Sequence, residues 1–143
     1  AGAQSRPRIM PSRIRPGDTG EITFQVEGQH AVSFDPAMPP VLSTPWLLWF
    51  LEHAALRALA PRLGAGEVSV GTEVELQHLA PTPVGGMVTC RARVVAVDGA
   101  AVAFHVEAHD GHEVIARGFH RRRVVRAAGL ARRVAAKLPP ASR

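Results

Sequence analysis

STPWLLWFLEHAAL, residues 43–56, is the most apolar stretch of the chain, and it holds one carboxylate, Glu52. Thr44 is a candidate N-cap, and Pro45 would then take the first helical position, where a missing N–H costs nothing. Ala, Leu and Arg, all good helix formers, carry the pattern to about Ala60, and PRLGAG ends it. The first two turns are apolar nearly all round, so this helix is expected to be enclosed by other structure. An unpaired carboxylate is rarely buried, so Glu52 needs a partner.

The flanking sequence supplies strands. EITFQV (21–26) alternates before the helix, and FDPAMPPVL (34–42), with three prolines, reads as a loop. After the helix, 67–79 and 87–97 alternate. Asp98-Gly99 and Asp110-Gly111 are hairpin signals bounding the strands 100–109 and 112–125. The order is strand, long apolar helix, four antiparallel strands: an α+β chain whose sheet can curl around its helix, the hotdog architecture. Residues 1–20 read as a loose surface segment, 21–125 as the hotdog domain, and 126–143 as a basic, helical tail. The sheet offers more apolar face than one helix covers, so a homodimer is expected.

Composition narrows the function classes. One cysteine, Cys90, allows no intrachain disulfide. The start lacks the apolar run of a signal peptide, and no run is long enough to span a membrane as a helix. The expected location is cytoplasmic, with no membrane partner. Of the net +5, nine Lys/Arg lie after Glu113 with no acid among them; the rest of the chain carries −4. Such a patch attracts phosphates or is simply a solvated face. There is no Tyr and no aromatic–basic interleaving in the tail, so a nucleic-acid partner is not expected. The seven histidines form no clear tetrahedral set, so no metal or other cofactor is expected.

Strict alternation in 67–79 puts Val68, Val70, Thr72, Val74, Leu76 and His78 on one face, and Glu67, Ser69, Gly71, Glu73, Glu75 and Gln77 on the other. His78 thus falls on the apolar face and becomes the expected partner of Glu52. Thr44 lies ~12 Å along the helix from Glu52, too far for a bond but right for a relay through His78. Hydroxyl, imidazole and carboxylate together make an activated nucleophile. Each also has a plain structural role: Thr44 as a cap, Glu52 paired with Arg57 or His53, His78 as a core histidine, Gly71 as a bulge.

VLSTPWLLWFLEHAALRALAPRL, VGTEVELQHLAPTPVG and FHVEAHDGHEVIARGFHRR together resemble the hotdog thioesterases of the fluoroacetyl-CoA type, over residues 41–123. The resemblance implies a catalytic set of Thr44, Glu52 and His78, with Gly71 near the acyl group, and hydrolysis of an acyl-CoA to the acid and CoA. Pro45 and Trp46 depart from the family pattern of glycine and phenylalanine. The loop before the helix is shorter and lacks the aromatic lid, for which only Phe34 and Met38 could substitute. Trp46 is expected to shape the acyl pocket, and Arg121, Arg122 or Arg123 to hold CoA phosphates. The alternative is a hotdog module that binds acyl-CoA or another small ligand without hydrolysis, with Pro45 fixing Thr44 as a cap alone.

Overall fold

Alternate residues Val88, Cys90, Ala92 and Val94 are fully buried. They lie on the inward face of β5 (Met87–Asp98), where side chains switch sides at each residue. The same period buries Val102, Phe104, Val106 and Ala108 of β6 (Ala101–His109). The computed structural model describes residues 13–141. Its other elements are β1 (Thr19–Gln25), β2 (Ala31–Val32), β3 (Val41–Leu42), α1 (Thr44–Leu59), β4 (Glu67–His78), β7 (Val114–Arg126) and α2 (Ala127–Ala135). Five strands form one antiparallel sheet in the order β1-β5-β6-β7-β4, and the two-residue β2 and β3 pair apart from it. The sheet wraps α1 as the hotdog reading requires.

α1 packs through Leu47, Leu51, Ala54, Ala55, Ala58 and Leu59, all essentially fully buried. Each leucine contributes about 1.5–3 kcal/mol by leaving water. The small residues let β1 approach closely: a Cβ at Gly20 would collide with the backbone of Ala54 and Ala58. Both hairpin signals hold, with Gly99 (φ 59°) and Gly111 (φ 86°) in the left-handed region. The sequence-based helix start is off by one residue. Ser43, not Thr44, is the N-cap, accepting from the Trp46 N–H at 3.3 Å. Thr44 begins the helix and Pro45 is its second residue.

β4 departs from strict alternation. Its register against β7 slips between Gly71 and Glu73, so Thr72 is an extra, bulged residue. Before the slip Ser69 and Gly71 pair with Val124 and Arg122; after it Val74, Leu76 and His78 pair with His120, Gly118 and Ala116. All five therefore face inward, and the expectation that Gly71 and His78 lie on opposite faces is wrong. Val68 and Val70 turn outward, opposite Val125 and Arg123. β4 is also a sheet edge, with Gly71–Glu75 exposed.

Residues 1–12 of the segment read as loose lie outside the described residues, but Ile14 is in the core and β1 begins at Thr19. α2 covers Ala127–Ala135 of the basic tail. Among the described residues, no helix is long and apolar enough to cross a membrane.

Candidate active site

Because Ser43 caps the helix, the Thr44 hydroxyl is free to leave the backbone. It meets Nδ1 of His78, at the end of β4, at 2.7 Å. Burial pushes His78 below its ordinary value of 6.5, and the Ala80 backbone draws it partly back. The ring's other nitrogen, Nε2, is buried without a hydrogen-bond partner among the described residues, so the Ala80 effect is proximity rather than a formed bond. A neutral imidazole against a hydroxyl is a base held on a nucleophile.

The pair opens on a cavity of about 420 Å³ lined by Val32, Phe34, Met38, Val41, Leu42 and Pro45 together with Thr44 and His78. Phe34, 84% exposed, stands on its rim. The loop is held by the Ser33 hydroxyl, which meets the carbonyls of Asp35 (3.0 Å) and Met38 (2.8 Å). Trp46, expected here, instead packs on His30, Trp49 and Phe50, with ring centroids 4.8, 5.7 and 6.2 Å away. Its place two residues past Thr44, about 200° around the helix, carries it off the cavity wall. A larger depression, about 560 Å³, lies on the outer sheet face around His105 and Phe119, without a nucleophile–base pair beside it.

Glu52 does not pair with His78. Its Oε2 accepts from Arg122 Nη1 at 2.9 Å and lies 3.8 Å from His120 Nε2. The Arg122 guanidinium is fixed from β4 as well, Nε donating to Ser69 Oγ (2.9 Å) and Nη2 to the Ser69 carbonyl (3.0 Å). Gly71 makes room for this cluster: a Cβ there would lie 2.9 Å from Glu52 Oε2. Arg122 is only 5% exposed, so it cannot serve as a surface phosphate contact. Arg121 points outward and meets Glu73 at 3.5 Å.

The structure thus sorts the candidates into two groups. Thr44 and His78 meet beside the cavity; Glu52 and Gly71 meet ~12 Å farther along the helix. Within one chain the expected three-membered relay does not form. Among the described residues no group of three or more His, Cys, Asp and Glu is placed to hold a metal.

The chain is 33% identical to a solved fluoroacetyl-CoA thioesterase, FlK, with a TM-score of 0.81 over 87% of this chain and 98% of that one. A hot-dog-like protein from Thermanaerovibrio acidaminovorans superposes with a TM-score of 0.83 at 28% identity, covering 92% of this chain and 98% of the other. A fluoroacetyl-CoA thioesterase from Streptantibioticus cattleyicolor is 40% identical over 87 residues, 61% of this chain and 63% of that protein. The family model for fluoroacetyl-CoA-specific thioesterases matches residues 26–128. The chain belongs to this thioesterase family.

Within the family framework, sequence reasoning missed Arg122 as the partner of Glu52, and Ser69 and His120 as its supports. A signal was available. Gly118, His120, Arg122 and Val124 alternate toward the core of β7, and two polar residues inside such a series must find partners there.

Proposed function

We propose that the protein is a thioesterase that hydrolyses a small acyl-CoA to the free acid and CoA. The observation that carries this is the 2.7 Å contact between Thr44 Oγ1 and His78 Nδ1 at the wall of an apolar cavity. With its hydrogen on Nε2, His78 accepts the Thr44 proton at Nδ1 as the hydroxyl oxygen attacks the thioester carbonyl. The C–S bond then breaks, CoA leaves as thiolate, and the imidazolium protonates it. Water, deprotonated by the same imidazole, releases the acid. A non-catalytic binding module relied on Thr44 being a cap alone, and Ser43 fills that position. The deciding experiment is mass spectrometry after mixing with acyl-CoA. An acyl adduct on wild type, absent from Thr44→Ala, supports a covalent route; turnover by Thr44→Ala near the wild-type rate rejects it.

We further infer a homodimer that completes the site. Among the described residues β4 is an unpaired edge, and Val74 is 40% exposed although it faces the helix side. Antiparallel pairing of two β4 strands about an axis at Glu75, with Thr72 left as the bulge, sets Val74 opposite Leu76 and Gly71 opposite His78 of the other copy. Because the Thr72 bulge turns both residues inward, the second copy's Glu52 and Gly71 then approach Thr44 and His78. That arrangement restores the Thr44/Glu52/His78 set across the interface. Light scattering after size exclusion should give about twice 15.3 kDa.

Arg121 and Arg123, exposed in the acid-free C-terminal region, remain the proposed contacts for CoA phosphates. The lone, buried Cys90, whose thiol burial pushes up to about 12, fits a reducing cytoplasm.

A further inference from the structure

His120 is 4% exposed and lies inward on β7, facing α1. Its Nδ1 is 2.8 Å from the Glu73 carbonyl, which can only accept, so Nδ1 carries the ring hydrogen. Its Nε2 is 3.1 Å from Arg122 Nη1, which can only donate, so Nε2 is bare. Together the two contacts select one species, the neutral Nδ1–H imidazole. Arg122 Nη1 has two hydrogens; one reaches Glu52 Oε2 at 2.9 Å and the other reaches His120. With Ser69 on Nε and Nη2, this second bond fixes the guanidinium plane.

From this geometry we infer that His120 is a positioning residue. Its bare Nε2 holds Arg122, and Arg122 holds the Glu52 carboxylate where the reaction needs it. This inference rests on the thioesterase reading. It adds a requirement that His120 stay neutral. A protonated ring would turn an N–H toward the guanidinium, opposing two donors and two cations. The groups facing His120 are Glu52 from α1, Arg122 on its own strand, the Glu73 carbonyl from β4 and the Phe104 ring, 6.3 Å away, from β6. Burial, the largest influence, lowers its proton affinity. The Glu73 carbonyl raises it, Arg122 lowers it and Glu52 raises it, with a net shift below 6.5.

The test compares His120→Asn, which can still donate to Glu73 but whose shorter side chain puts no acceptor at the Nε2 position facing Arg122, with His120→Gln, whose longer side chain restores one there. Acyl-CoA turnover by wild type is measured first; its absence overturns the thioesterase reading and the role of His120 with it. Given turnover, His120→Asn should lower kcat about 10–100-fold with KM little changed, the scale of a misplaced catalytic group. His120→Gln should recover most of the loss and flatten the acid limb of the kcat profile. Wild-type kcat in a folded His120→Asn overturns the inference while leaving the thioesterase reading intact. Where a variant does not fold, nitrogen-15 NMR of wild type at pH 7 decides: the account requires neutral, Nδ1–H His120, and an Nε2–H or doubly protonated ring overturns it.

Discussion

At the start of α1, Thr44 and His78 share one hydrogen bond, and a buried ring nitrogen has no partner among the described residues. Two turns on, Glu52 meets a guanidinium engaged by four contacts: Ser69 twice, His120 and the Glu52 carboxylate itself. The first region is under-satisfied and opens on a cavity; the second is tied down. Such a contrast separates a group that must change bonds during a reaction from one that must hold a charge still. In the proposed dimer, the edge position of β4 would let both regions serve one site, with the second copy's fixed carboxylate set against the reactive pair.

The largest effect should come from the under-satisfied region. His78→Ala and Thr44→Ala should each lower kcat by about 10²–10⁴-fold, as for loss of a base or nucleophile, read as released thiol. Unfolding should change little in Thr44→Ala, because Ser43 keeps the cap. A Thr44→Ala protein that loses stability but keeps kcat would reassign Thr44 to structure and erase the contrast.

Next comes the tied region. Glu52→Gln should lower kcat by about 100-fold, since geometry and charge are both disturbed. It should also lower the melting temperature, because Arg122 stays buried with its charge uncompensated. Gly71→Ala should show a smaller version of the same defect, because its Cβ would displace Glu52 Oε2 from 2.9 Å. Equal stability losses without a change in kcat would make the cluster purely structural.

Protons sharpen the comparison further. Burial, the leading cause at both sites, puts His78 and His120 below 6.5. The unfolded chain then binds protons first as pH falls below about 6.5, so stability declines there and levels off below the folded-state values. Urea midpoints at pH 7.5 and 5.5 should show this fall, and His120→Gln should reduce it. A midpoint independent of pH across that interval contradicts neutral, buried imidazoles.

How much of this was readable beforehand differs between the two regions. Thr44 and His78 sat where local rules put them, at a helix start and on the inward period of a strand. The hairpins were legible because Asp98-Gly99 and Asp110-Gly111 encode their own turns. The Glu52 partner was half legible: the alternation of β7 turns Arg122 inward, but the support from Ser69 and Gly71 depends on the bulge at Thr72, which reverses their facing relative to His78. A bulge is set by pairing with β7, not by the residues of β4 alone. Ser43 and Thr44 are both good caps, and the choice was made by a tertiary partner, His78.

The smallest effect belongs to the outer face. The Arg121–Glu73 pair is mostly exposed, so Arg121→Ala should change stability by about 0.5 kcal/mol or less. If Arg121 contacts a CoA phosphate, KM for acyl-CoA should rise at low ionic strength and less at high. KM for a short thioester without the nucleotide should stay level. Equal rises for both substrates place the effect in the site instead.

The claim that two copies share each site is tested most directly by a hybrid dimer. Thr44→Ala and Glu52→Gln chains are co-expressed with different tags and the mixed species purified. If Thr44 and Glu52 act across the interface, one site carries both defects and the other carries neither, so activity per dimer should return to about half of wild type. If both residues act within one chain, each site keeps one defect, and a hybrid as inactive as its parents contradicts the account.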